Sequence, residues 1–229
     1  THCISSAASD VYKRQVQDMV IQNKERITEA LNTDFGSRSL NQSLISDVYA
    51  VLPAFSHAKK HLKSWMKDEK RKSNFPFGLM GAKSYIHREP LGVVGMISPW
   101  NFPMYLSLAP LAGIFSAGNQ VMHKPSEFTP ITSELLKEIC DSAFDETEFA
   151  TFLGGPDVGA AFTQLKFDHL LFTGSGNIGK HVMRAASENL VPLTLELGGK
   201  SPVIVSDSSN IDITARRVMF NKTLNAGQI

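Results

Sequence analysis

The 229-residue sequence predicts an α/β protein built on a doubly wound parallel sheet. Three observations carry that expectation. Five short apolar runs, at 93–98, 120–123, 149–153, 169–173 and 192–197, alternate with segments of helical periodicity. The first of them, within Gly92-Val93-Val94-Gly95-Met96-Ile97-Ser98, carries no charge, as suits a strand buried on both faces. Proline stands at the start of the helical segments 103–117 and 130–144, the position where its fixed φ and missing N–H cost a helix least. With short strands and right-handed crossovers, the sheet is covered by helices on both sides.

The elements follow in order. Ser5 to Gln15 reads SSAASDVYKRQ, the translation of a common sequencing-adapter oligonucleotide in one frame, so residues 1–15 are set aside as a non-native leader. Val16, Met19, Val20, Ile27 and Leu31 recur at helical spacing, with a stop at 32–37. A second helix is expected over 40–66, packed through Leu44, Val48, Val51, Leu52, Phe55, Leu62 and Trp65, with a kink at Pro53. The lysines toward its end, Lys59 to Lys72, are interrupted by Asp68 and Glu69 and lack interleaved aromatics, so they read as a solvated face rather than a nucleic-acid site. His57 and His61 stand one helical turn apart without a third ligand nearby, and no metal is assigned. The stretch 72–90, rich in Phe, Pro and Gly, reads as a loop leading into an exposed strand near Tyr85.

The totals exclude several classes. A formal charge of +1 points neither to nucleic acid nor to an anionic membrane surface. Residues 91–122 hold no charge, yet Pro99, Asn101, Pro103 and Pro110 interrupt them before they reach the roughly 20 apolar residues of a span. Two distant cysteines, Cys3 and Cys140, form no disulfide framework and fit a reducing cytoplasmic setting.

Four sites could carry chemistry. At Pro99-Trp100-Asn101-Phe102-Pro103 the first strand turns into a helix, and Asn101 can offer amide hydrogens to a developing oxyanion; alternatively it closes an Asx-type turn. Thr173-Gly174-Ser175-Gly176-Asn177-Ile178-Gly179 contains G-x-G-x-x-G between a strand and a helix, a phosphate cradle or a plain glycine-rich turn. Lys124 and Glu127, after the second strand, suit the hydroxyls of an adenosine ribose, or are surface charges before the helix that Thr129 caps. Glu196 lies in Leu193-Thr194-Leu195-Glu196-Leu197-Gly198-Gly199-Lys200, a carboxylate near the end of an otherwise apolar strand. Burial there would raise its pKa and suit a general base, although its spacing from the glycines also fits a ribose contact, and a plain edge-strand glutamate fits too.

Together, PWNFP, AGNQVMHKPSE, FDHLLFTGS and PLTLELGGKSP resemble the NAD(P)-dependent aldehyde dehydrogenase superfamily over residues 16–229, within its class 3-like branch and nearest the coniferyl aldehyde dehydrogenases. The resemblance implies a Rossmann-like coenzyme domain with N-terminal helices (16–71), an oligomerisation arm (72–90), a dinucleotide-binding domain (91–198) and the truncated start of a catalytic α/β domain (199–229). It implies Asn101 as oxyanion donor and Glu196 as the base that activates water. Cofactor contacts fall on Ile97, Ser98, Pro99, Trp100, Lys124, Ser126, Glu127, Gly155, Gly159, Phe172, Thr173, Gly174, Ser175, Ile178, Leu197 and Gly198. NAD is the expected cofactor, with NADP admitted; the substrate is an aldehyde, aromatic by the coniferyl resemblance, and the full-length protein a homodimer in the cytoplasm. Residues 103–117 contain no lysine, so no proton-relay lysine is assigned. The family's nucleophilic cysteine follows a segment like Asn225 to Ile229, where the sequence stops; Cys140 reads as an inert core thiol, and the 229 residues alone are expected to be inactive. Two other readings of the residues stay open: a dehydrogenase half that binds NAD without a thiol nucleophile, and a non-catalytic oligomerising module.

Overall fold

The computed structural model describes residues 15–228; Cys3 and nearly all of the leader expected at 1–15 lie outside them, as does Ile229. The expected helix from Val16 to Leu31 is two helices, α1 (15–22) and α2 (Lys24–Phe35), divided at Asn23. Gly36, in the left-handed conformation at φ 76°, ends α2 by donating its N–H to the carbonyl of Asn32. The stretch expected as one helix over 40–66 is α3 (Leu40–Ser43), a π-helical segment (Leu44–Tyr49) and α4 (Val51–Trp65). Pro53 lies in the first turn of α4, where its missing N–H is tolerated, and the wide turn falls just before it.

β1 (Glu69–Arg71) and β2 (Ser84–Ile86) form an antiparallel hairpin, whose first strand lies before the stretch 72–90. The main sheet then follows: β3 (Val93–Ile97), β4 (Gln120–Lys124), β5 (Phe149–Thr151), β6 (His169–Gly174) and β7 (Leu193–Leu197). All four pairings are parallel, in the order β5-β4-β3-β6-β7. Between them run α5 (Pro103–Leu108) and α6 (Leu111–Ser116), separated by Ala109 and Pro110, then α7 (Pro130–Asp141), α8 (Pro156–Thr163) and α9 (Gly176–Ser187). After β7 come α10 (Ile211–Thr223) and a single turn at Leu224–Gly227.

Period-two alternation divides the strand side chains between two cores. Met96, Val121 and Phe149 face the larger one, filled by Val16, Ile27, Leu31, Phe55, Leu111 and Leu136 of the helices on that side. Leu170 and Phe172 face the other, with Phe162 of α8 and Val182 and Ala186 of α9. Gly95 lies on this second side because a Cβ there would come within 2.5 Å of the Phe167 ring. Cys140 is wholly buried in the larger core, and burial holds its thiol far above the usual range, so it is an inert packing group.

The chain proceeds outward from β3 through β4 to β5, then crosses back to the far side of β3 at β6. Strand order therefore reverses between β3 and β6, and the crevice beyond their carboxyl ends is the natural ligand position of such a sheet.

Candidate functional site

That crevice is a cleft of about 330 Å³ walled by Pro99, Trp100 and Asn101 after β3, Thr173 to Ser175 after β6, and Glu196 to Gly198 at the end of β7. The oxyanion candidate and the base candidate, 95 residues apart by number (196 minus 101), thus open onto one space. Gln228 reaches the same cleft from the last turn. A tighter hollow of about 160 Å³, between Trp65, Arg88 and Gly113, lies among mostly apolar walls away from the strand ends.

The Asn101 turn is fixed from outside the sheet. Phe102 occupies the cap position of α5 and has no side-chain oxygen to offer, so the first N–H groups of the helix need another acceptor. Asp47, on the π-helical segment, supplies it: Oδ1 accepts from Met104 N at 3.1 Å and from Tyr105 N at 3.3 Å. Its Oδ2 meets Arg38 Nη2 at 2.7 Å, and Arg38 Nη1 donates to the Asn101 carbonyl at 3.0 Å. Burial raises the Asp47 carboxyl pKa and lowers that of the Arg38 guanidinium, while their mutual attraction opposes both shifts. The guanidinium also lies 4.7 Å from the centre of the Phe35 ring. Asn101 lines the cleft, and its Oδ1 is enclosed with no hydrogen-bond partner among the described residues.

The second proline-led helix is capped in the same way. Thr129 was expected to cap α7 but makes no cap bond; Asp34 of α2 accepts from Ile131 N at 3.1 Å and Thr132 N at 2.7 Å. Both aspartates come from the N-terminal helices, so those helices hold the strand-to-helix junctions as well as covering the sheet.

Behind the cleft, Ser98 is buried, and its hydroxyl lies 2.7 Å from that of Ser107 and 2.8 Å from Nε2 of His123. His123 is fully enclosed; burial, with a smaller push from Lys124, drops its imidazole to about 3. The Ser98 side chain is therefore engaged, and its N–H donates to the carbonyl of Lys124 at 3.2 Å. Ile97 is half-buried against the second core, and Trp100 is exposed at the mouth.

On the opposite face of β4 from His123, Lys124 is almost fully buried, with its ammonium 3.1 Å from Glu127 Oε2 and 2.7 Å from the carbonyl of Pro125. Ser126 turns its hydroxyl to Phe128 N at 3.2 Å. Gly155 caps α8, and Gly159 lies along it; a Cβ on Gly155 would meet Asp157 Oδ1 at 3.1 Å, whereas one on Gly159 would stand in open space. At the glycine-rich turn, the Ser175 hydroxyl accepts from Ile178 N at 3.3 Å, leaving the N–H groups of Gly176 and Asn177 without an acceptor inside α9. The Phe172 ring lies where a Cβ on Gly174 would come within 2.6 Å of it, and a Cβ on Gly179 would come within 3.1 Å of Leu197. These glycines bring helix and strands close, and Gly176 and Gly198 leave open space at the cleft. A buried cation beside a carboxylate, glycine backbone and unpaired helix N–H groups are a donor set that fits a dinucleotide.

Glu196 lies on an edge strand, one of the positions its sequence context allowed. It is exposed, because β7 is the edge strand of the sheet and nothing among the described residues covers the face it shares with Thr194. The leucines around it face the other side.

Sequence reasoning missed Arg38, Asp47 and Asn225. Asp47 did leave a signal: it stands among Leu44, Val48 and Val51 on the packed face of its helix, where a carboxylate requires a partner. The His57 ring lies tilted 4.1 Å from that of His61, which stacks on Trp65, and among the described residues no group of three metal-ligating side chains occurs. No helix among them is long and apolar enough to cross a membrane.

Residues 11–229 match the model of the aldehyde dehydrogenase family. A protein of Caulobacter vibrioides described as a "probable coniferyl aldehyde dehydrogenase" is 56% identical over 213 residues, 93% of this chain and 44% of that protein. A coniferyl aldehyde dehydrogenase of a Pseudomonas species is 52% identical over 92% of this chain and 43% of its own. Among solved structures, the substrate-bound state of Staphylococcus aureus AldH superposes with a TM-score of 0.92 at 37% identity, covering 98% of this chain and 48% of that one. The NAD+ complex of an aldehyde dehydrogenase from Bacillus cereus gives 0.87 at 25% identity, covering 99% and 45%. The chain spans under half the length of the curated relatives it matches.

Proposed function

The chain belongs to the aldehyde dehydrogenase family, and we propose that the whole protein oxidises an aldehyde to a carboxylic acid with NAD(P)+ through a cysteine thioester. The observation that carries this reading is the shared cleft of Asn101 and Glu196 at the reversal of strand order. A cysteine thiolate of the whole protein attacks the carbonyl carbon. The Asn101 amide, whose own oxygen is enclosed, donates to the oxygen as it becomes an oxyanion. When bound, NAD(P)+ supplies the hydride acceptor. Glu196 then takes a proton from the water that hydrolyses the thioester.

For the cofactor, the ion pair of Lys124 and Glu127 supports a role for both at the adenosine ribose, and the start of α9 supports a pyrophosphate at Gly174 to Gly176. The relatives named for coniferyl aldehyde support an aromatic aldehyde as substrate. A homodimer in the cytoplasm completes the reading by family resemblance, with the β1–β2 hairpin as its arm.

The test is aldehyde-dependent NADH formation by the whole protein and by its Asn101→Ala variant. Loss of one oxyanion donor lowers the rate by about 10² to 10³ without abolishing it. Wild-type turnover by the variant would remove Asn101 from the chemistry.

A further inference from the structure

One atom of the candidate site receives two side chains that the proposed chemistry leaves without a task. The main-chain carbonyl oxygen of Asn101 accepts from Arg38 Nη1 at 3.0 Å and from Asn225 Nδ2 at 2.8 Å. The donors come from positions 63 residues before and 124 residues after it, and both are buried, with 7% and 3% of their surface exposed. Two donors saturate the two lone pairs of a carbonyl, which fixes the plane of the peptide that follows Asn101.

Each donor is itself held. Arg38 is anchored by Asp47, which at the same time caps α5 three residues beyond Asn101. Asn225 stands in the left-handed region, at φ 57° and ψ 43°, a conformation that asparagine tolerates better than most residues. Its Oδ1 faces Gln42 Nε2 at 3.4 Å, and its own carbonyl accepts from Gln228 Nε2 at 3.0 Å. Gln228 lines the cleft. The Asn101 carbonyl is therefore the point where the turn after β3, the N-terminal helices and the last turn of the chain are joined.

We propose that Arg38 and Asn225 are positioning residues that clamp the Asn101 carbonyl, and so set the direction of the Asn101 amide in the cleft. The inference rests on the oxyanion role given to Asn101 above. An oxyanion donor acts only within about 2.7–3.1 Å of the charge it stabilises, and displacements near 1 Å at such a group cost on the order of 10²-fold in rate. Releasing the carbonyl frees the peptide to rotate and carries the side chain with it, while the ribose and pyrophosphate contacts are untouched.

The test is the rate of the first NADH burst in the whole protein. Asn225→Gly removes the donor while accepting the same backbone angles. Arg38→Lys retains a cation opposite Asp47 but loses the second arm of the fork. Each is made in the wild-type and in the Asn101→Ala backgrounds. Expected is a drop of roughly 10- to 100-fold in burst rate in the wild-type background, with the dissociation constant for NAD unchanged, and less than a twofold drop once Asn101 is alanine. An equal drop in both backgrounds would show a general structural role and overturn the clamp, as would a wild-type burst from Asn225→Gly. Should Arg38→Lys fail to fold, Asn225→Gly decides alone. Should the unaltered whole protein form no NADH with any aldehyde, the oxyanion reading fails and the clamp with it; Asn101-dependent activity combined with additive effects of Asn225 would overturn the clamp only.

Discussion

Arg38 and Asp47 form an ion pair at 2.7 Å with 3% and 0% of their side chains exposed, directly beneath the turn that carries Asn101. A buried pair of this kind adds little over a well-packed apolar pair, but removing one partner strands the other. Its place in the fold is therefore better read as setting geometry than as adding stability.

From this it follows that Asp47→Ala destabilises the protein by about 3–5 kcal/mol, since Arg38 loses its counter-charge and α5 loses its cap together. Replacing both, Arg38→Met with Asp47→Leu, recovers much of that loss, yet leaves the Asn101 carbonyl short of one donor. Urea unfolding of the single and double variants measures the first effect, and NADH burst rates measure the second.

A pH dependence follows from His123. Its imidazole titrates at about 3 in the folded protein against an ordinary 6.5, so the unfolded chain takes up a proton that the folded one refuses. The folded pKa is depressed, hence the contribution is complete above about pH 6.5 and is lost as pH falls from there toward 3. The loss runs at about 1.4 kcal/mol per pH unit, or about 2 kcal/mol between pH 6.5 and pH 5. His123→Gln should flatten this part of the stability profile while keeping a hydrogen-bonding group beside Ser98; an unchanged slope would assign the dependence to other groups.

Cofactor choice should respond to Glu127. A carboxylate beside the ribose repels a 2′-phosphate, so Glu127→Gln is expected to raise kcat/KM for NADP relative to NAD by roughly fivefold, the effect of about 1 kcal/mol of relieved repulsion in a solvated setting. Lys124 loses an ion-pair partner in that variant but keeps the Pro125 carbonyl at 2.7 Å. Steady-state kinetics with both cofactors measures the ratio.

What the sequence disclosed and what it hid divide along a physical line. The five strands, the turn at Pro99 to Pro103 and the glycine turn after β6 are written in local patterns: apolar runs of strand length, prolines at helix starts, glycines where helix and strand approach. Arg38, Asp47, Asp34 and Asn225 act through partners 9 to 124 residues away, and no local pattern names such a partner. Thr129 shows the error that follows: its residue type and position fit a cap, but the fold had already supplied Asp34. For Glu196 the sequence left an edge-strand position open beside the role of base, and alternation along β7 sets it away from the leucines; only the strand order puts β7 at the edge.

The central claim, that Asn101 and Glu196 serve successive steps on one carbonyl, is tested most directly by rapid mixing of the whole Glu196→Gln protein with aldehyde and NAD. With hydrolysis disabled and the first step intact, one equivalent of NADH per site should form at close to the wild-type burst rate and then stop, with the acyl group recoverable on the protein. Continuous turnover at the wild-type rate would contradict the assignment of Glu196 as the base, and with it the account of the cleft.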